Sequence, residues 1–340
     1  MPITYTPKFA YVTNFANPGA VLGFTINTST GALTPIPGSP FAAGKAANSV
    51  AVHPTGKFAY VTNFAENDVS TYTINATTGA LTPIPGSPFA AGNEPGYVTV
   101  DPSGRFAYVA NNVDNSISGY TINAGTGVLT PIPGSPFATG NEPGSVAVDP
   151  TGRFAYVGNF SSSVSGYRIN VTSGALTPVP GSPFSGGGGN AAVDPTGKFA
   201  YVTSPDGSSV CGYMINATSG TLTPIPGSPF VDGAVPNSVA VDPSGRFAYV
   251  LDGFGSVVSG YTINASSGAL TTIAGWATPR GPISIVADPS GKFAYVTTVT
   301  DAGVSAYTIN AGSGALAPIP GSPFPAGSVP FGIAVTGQIH

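Results

Sequence analysis

Apolar and small polar residues alternate along this chain in short runs, and a turn signal follows each run. Within residues 145–184 the runs are 145–148, 154–157, 164–169 and 176–184. Alternation at period two over runs this short predicts β-strands rather than helices. The connectors are turns with a stated chemistry. Asp149-Pro150-Thr151-Gly152 joins the first run to the second: aspartate caps, proline presets φ and glycine accepts a positive φ. Asn170 and Gly174 bracket the turn between the third and fourth runs. The fourth run, LTPVPGSPF, holds three prolines, which suits an outer edge strand with no second ladder to feed.

The unit recurs. FAYV begins at Phe9, Phe58, Phe106, Phe154, Phe199, Phe247 and Phe293, at intervals of 49, 48, 48, 45, 48 and 46 residues. A period in this range marks stacked supersecondary units. Four antiparallel strands per unit, proline-rich strand outermost, describe a blade, and seven blades predict an all-β, seven-bladed β-propeller. The chain enters at the second run of its first unit and closes on a first run at residues 331–335. The C-terminal strand is therefore expected to complete blade one and close the ring. Residues 1–340 then make a single domain.

Composition narrows the function classes. Charged residues are only 7% of the chain, against roughly 25% in an average soluble protein. Net charge is −4 and no basic cluster occurs, so no nucleic-acid footprint is expected. No apolar run approaches the roughly 18 residues of a membrane-crossing helix, so no membrane span is expected. Cys211 is the only cysteine, which excludes an intrachain disulfide. The opening MPITYTPKFAYV lacks a basic stretch followed by an apolar one, so no signal peptide is expected in the sequence as written.

YVTN at residues 11–14 and 60–63 resembles the signature of YVTN-type propeller repeats. The longer word, GALTPIPGSPF followed by VAVDPSGRFAYV, is similar to the seven-bladed lactonase propellers, which include 6-phosphogluconolactonases and a carboxymuconate cyclase. The resemblance spans essentially the whole chain. It implies the propeller fold and a lactone-opening activity carried by Arg, His and Glu side chains at the channel mouth.

Ligands of propellers sit at that mouth, built by the loops from fourth to first run and from second to third run. The predicted inner strands carry no charge and no histidine, so their wall offers no general acid or base. His53 stands where other units have Asp101, Asp149, Asp194, Asp242 and Asp288, in the tight turn of the opposite face, and reads as a turn variant. Lys8, Lys57, Arg105, Arg153, Lys198, Arg246 and Lys292 each precede a FAYV phenylalanine and read as solvated charges. Lys45 and Arg280 instead precede the inner strands of blades two and seven, on the ligand face. Nine acids map to the same face: Glu94, Glu142 and Asp232 before inner strands, and Glu66, Asp68, Asp114, Asp206, Asp252 and Asp301 in the loops after second strands. Trp276 replaces the phenylalanine of GSPF in blade six and is expected to fill its space, with an exposed ring for stacking on carbohydrate as the alternative. His340 ends the chain.

Near-uniform blades, a bland wall and scarce charge point first to a non-catalytic binding module. Its partner would be a protein, a glycan, a small polar ligand or its own copies, and it would be secreted or displayed on a surface, with a cytoplasmic location as the alternative. The candidate ligand-binding residues are Glu66, Asp68, Glu94, Asp114, Glu142 and Arg280. No cofactor is expected beyond a weakly held divalent cation among the acids. The alternative is a lactonase, with Glu94 or Glu142 activating water and Arg280 steadying the oxyanion.

Overall fold

The computed structural model describes residues 5–204, 207–231, 235–278 and 280–339. Asp206, Asp232 and His340 lie outside them. Seven antiparallel sheets follow one another, and the inner strand of each contacts the inner strands of its two neighbours until the last meets the first. Blade two shows the pattern: Ala47–Val52 innermost, then Phe58–Asn63, Asp68–Ile74 and Leu81–Pro83.

The FAYV word is a seam device. Phe58 and Tyr60 pack against Ala107 and Val109 of blade three, while Ala59 and Val61 pack against Phe9 and Tyr11 of blade one. Period two thus sends two large rings into the following blade and two small groups toward the preceding one. Each seam joins large to small, and the stacking propagates around the ring. The tyrosine hydroxyls add a directed contact. Tyr108, Tyr156 and Tyr201 donate to the carbonyls of Gly174, Gly220 and Gly268 in the next blade, at 2.8, 2.8 and 2.7 Å. Gly220 has φ +77°, and a Cβ there would come within 2.3 Å of the Phe154 ring. Turn conformation and close approach both require glycine at that point.

Ring closure is as expected. Pro330–Ile339 pairs antiparallel with Tyr5–Asn14, matching Val335 to Ala10 and Ile333 to Val12. Phe293 and Tyr295 of blade seven pack on Ala10 and Val12. Tyr295 donates to the Gly31 carbonyl at 2.9 Å, the same bond made between residues 264 positions apart.

The fourth run departs from expectation. It is two short strands, Leu176–Pro178 and Phe184–Ser185 in blade four, both paired to Ser163–Ile169. The intervening Pro-Gly-Ser-Pro turns the chain, and Ser182 Oγ accepts the Gly166 N–H at 2.9 Å in place of the missing strand. Blade six lacks that sequence and keeps one continuous strand, Leu270–Ala277. There the Trp276 ring covers Gly260 as the Phe137 ring covers Gly119, so tryptophan does take the phenylalanine's space.

On the face opposite the mouth, Asp149 Oδ1 accepts the N–H groups of Arg153 and Phe154, both at 2.7 Å, and is fully committed to its turn. His53 is buried there, accepting the Thr55 N–H at Nδ1 (3.1 Å) and lying 2.8 Å through Nε2 from the Gly104 carbonyl. The arginines before FAYV are more than solvated charges. Arg105 reaches the carbonyls of Val171 and Thr172 at 2.8 and 3.1 Å, and Arg246 those of Ala311 and Gly312 at 3.0 and 3.2 Å. Each guanidinium also lies about 5 Å from the centroid of its own phenylalanine. Among the described residues no helix is long and apolar enough to cross a membrane.

Candidate functional site

The inner strands and the ends of the second strands converge at one end of the ring on a cavity of about 460 Å³. Its wall includes Asn48, Ser49, Tyr97, Asn190, Asn237, Ser238 and Ser284 from inner strands or the residues just before them. Phe15, Phe64, Asn112 and Phe160 follow the second strands, and Phe331 begins the closing strand's run. The Phe15 ring lies 5.8 Å from Phe64 and 5.2 Å from Phe331, centroid to centroid. Among the described residues the lining holds no Asp, Glu, Lys, Arg or His. The wall is thus as free of charge as the inner strands implied.

The aromatic sector was not anticipated, although the sequence marks it. Asn-Phe closes the second strand three times, at residues 14–15, 63–64 and 159–160, the asparagine ending the strand and the phenylalanine following it. Tyr97 also departs from the repeat, since Ser49, Ser145, Ser238 and Ser284 hold its position in four blades and Asn190 and Gly332 in the other two. Tyr97 lines this cavity and keeps 36% of its surface exposed. Burial of the hydroxyl end raises its phenol above the usual range, and that hydroxyl makes no hydrogen bond to a described residue. Across the cavity the amides are ordered by the neighbouring blade. Asn190 Nδ2 donates to the Asn237 carbonyl, and Asn237 Nδ2 donates to the Pro282 carbonyl at 2.9 Å. With its NH2 so committed, Asn237 leaves Oδ1 buried and without a partner, and Asn112 Oδ1 is in the same condition.

A second cavity, of about 580 Å³, adjoins the first and shares Asn112 and Phe160 with it. Glu94 and Glu142 line it together, with Val113, Asn115 and Asn141. Both glutamates have left-handed backbones, with φ of 53° and 49°. The preceding blade holds them there: Asn67 Oδ1 accepts the Glu94 N–H at 3.0 Å and Asn115 Oδ1 the Glu142 N–H at 2.8 Å. The corresponding residues of blades five and seven are Gly187 and Gly281, with φ of 71° and 70°.

The remaining candidates go elsewhere. Asp114 accepts both the N–H and the Nδ2 of Asn93 at 2.7 Å, and those bonds hold its carboxyl below the usual range. Asp68 accepts from Asn63 Nδ2 at 2.6 Å, but partial burial raises its carboxyl, with Glu66 adding to the rise. Glu66 lies 3.8 Å from Lys45 Nζ. Asp252 caps its own loop through the N–H groups of Phe254 and Gly255. Arg280 lines neither cavity, and its N–H donates to Asp301 at 2.6 Å. Among the described residues no three His, Cys, Asp or Glu side chains converge as a metal site would require. Of the acids expected to gather a divalent cation, Asp68 and Asp114 are bonded to asparagine amides and Glu66 lies beside Lys45, while Glu94 and Glu142 share the second cavity.

No curated protein matches this chain. Among solved structures, a putative 6-phosphogluconolactonase from Bacteroides uniformis superposes with a TM-score of 0.83 at 17% identity, covering 97% of this chain and 99% of that one. A putative 6-phosphogluconolactonase from Bacteroides fragilis gives 0.82 at 19%, covering 97% and 98%. A periplasmic gluconolactonase from Pseudomonas aeruginosa gives 0.81 at 16%, covering 96% and 99%. At these identities the structures share the fold. The model of the family described as "Lactonase, 7-bladed beta-propeller" matches residues 8–191 and 185–329. That match overturns the reading of the chain as a non-catalytic scaffold and favours the lactonase alternative: this chain belongs to the seven-bladed β-propeller lactonase family.

Proposed function

We propose that this protein hydrolyses a lactone ring in the channel-mouth cavity. The observation that carries the reading is the shared wall. Asn112 and Phe160 belong to both cavities, which sets Glu94 and Glu142 beside a pocket otherwise free of ionisable carboxylates. Opening a lactone needs a proton acceptor for the attacking water and a donor for the oxygen that becomes negative. One of the two glutamates takes the water's proton as its oxygen bonds to the acyl carbon. The ring C–O bond then breaks, and the departing alkoxide recovers that proton, leaving a hydroxy acid. Tyr97 supplies the donor. A phenol, with an ordinary pKa of about 10, is protonated at neutral pH, and this hydroxyl is uncommitted. Arg280 takes no part in this scheme.

The test is acid release from D-glucono-1,5-lactone and from dihydrocoumarin, measured against the buffer rate. Replacing both carboxylates, Glu94→Gln with Glu142→Gln, should cost about 100-fold or more, the usual contribution of a general base. Glu142→Gly with Glu94→Gly should do the same without harm to the fold, because glycine already holds that left-handed position in blades five and seven. Rates equal to buffer for both lactones, or full activity in the double variants, would refute the proposal.

A further inference from the structure

The cavity divides by side chain. Its aromatic residues, Phe15, Phe64, Tyr97, Phe160 and Phe331, come from blades one to four. Among the described residues, blades five to seven contribute no aromatic ring, only small polar and aliphatic groups such as Ser238, Val239, Ser284 and Ile285. Tyr97 and Phe160 keep 36% and 47% of their surfaces exposed, in a chain that buries most of its other aromatic rings. Rings held open on a concave wall favour the flat apolar face of a ligand.

An anion finds nothing there. Among the described residues the lining holds no lysine, arginine or histidine, so a phosphate or carboxylate would give up its water without a cation in return. Across the shared wall stand Glu94 and Glu142, which repel it, and the whole chain carries −4. From these groups we propose that the cavity selects an uncharged lactone with an apolar, aryl-type face and rejects phosphorylated or carboxylated rings. The inference takes the lactone from the reading above, but the selectivity belongs to the cavity itself. It has a consequence for turnover: ring opening creates a carboxylate in a pocket without a cation, so the product is expelled and inhibits weakly.

The experiment is calorimetric titration with two stable probes. One is 3,4-dihydro-2-quinolinone, an uncharged aryl lactam that also offers an N–H donor. The other is 6-phosphogluconate. The lactam should bind at least about 100-fold more tightly, a gap of the size that like-charge juxtaposition imposes. Tyr97→Ser and Phe160→Asn should each weaken lactam binding by about tenfold, as lost ring contacts do. Both substitutions use residues that the repeat already places at those positions, Ser49 and Asn112, so melting curves should stay near wild type. The inference is overturned if neither probe binds, if 6-phosphogluconate binds as well as the lactam, or if well-folded Tyr97→Ser and Phe160→Asn proteins bind the lactam unchanged. Lactam binding with no turnover of any lactone would keep the selectivity and end the hydrolase reading. Turnover that prefers a phosphorylated lactone would do the reverse.

Discussion

The closing seam can be tested with the smallest change the fold allows. Tyr295→Phe removes one hydroxyl, which donates to the buried Gly31 carbonyl across the junction of blades seven and one. Tyr156→Phe removes the same hydroxyl at an internal seam, where it donates to the buried Gly220 carbonyl at 2.8 Å. Both tyrosines are completely buried and both acceptors lose their partner, so each change should cost about 1–2 kcal/mol. An unfolding entropy of about 2.1 cal/mol/K per residue gives about 0.7 kcal/mol/K over the 340 residues. Each substitution should therefore lower Tm by about 1.5–3 °C, read by differential scanning calorimetry. The two sites are remote, so the double variant should show the sum. Equality is the decisive outcome. If the ring opens in solution at the terminal seam, Tyr295→Phe will be silent while Tyr156→Phe still costs stability, and the closed-ring argument fails.

Deleting residues 329–340 should do more, because it removes the whole inner strand of blade one and bares an unpaired edge; a clear loss of Tm with aggregation is expected, and an unchanged monomeric elution profile would count against it. Phe154→Ala should cost about 3–5 kcal/mol in chemical denaturation, since the ring is 1% exposed, whereas Lys198→Ala should stay within about 0.5 kcal/mol. Alkaline pH should unfold the protein cooperatively. Burial raises the phenols of Tyr11, Tyr60, Tyr108, Tyr156, Tyr201, Tyr249 and Tyr295 above their ordinary value. Their contribution is complete below the unfolded pKa of about 10 and is lost as pH rises above it toward the folded values. Phenolate absorbance should appear together with loss of β-structure, and gradual ionisation of a folded protein would contradict the burial.

The sequence by itself determined the number of blades, their strand order and the closure of the ring. Those features rest on local and periodic signals: a seven-fold FAYV, a proline-laden outer run, an aspartate or histidine with glycine at each inner turn, and a chain split between two halves of one blade. Period two also dictated which side chains enter a seam, since Phe and Tyr must share one face and Ala and Val the other. The mouth was legible only in part. Absence of charge from the inner strands could be read directly, and so could the loops in which Glu94 and Glu142 stand. Which of nine acids would meet could not, because that depends on how the loops of successive blades bond to one another. Asn67 and Asn115 set the backbones of Glu94 and Glu142, while Asn93 and Asn63 draw Asp114 and Asp68 into bonds of their own. The aromatic sector likewise needed the tertiary structure. Phe15, Phe64 and Phe160 look in sequence like loop residues beside a strand, and Phe331 lies 316 positions from Phe15. Only the closed ring brings Phe331 within 5.2 Å of Phe15, because curvature returns the last strand to the first.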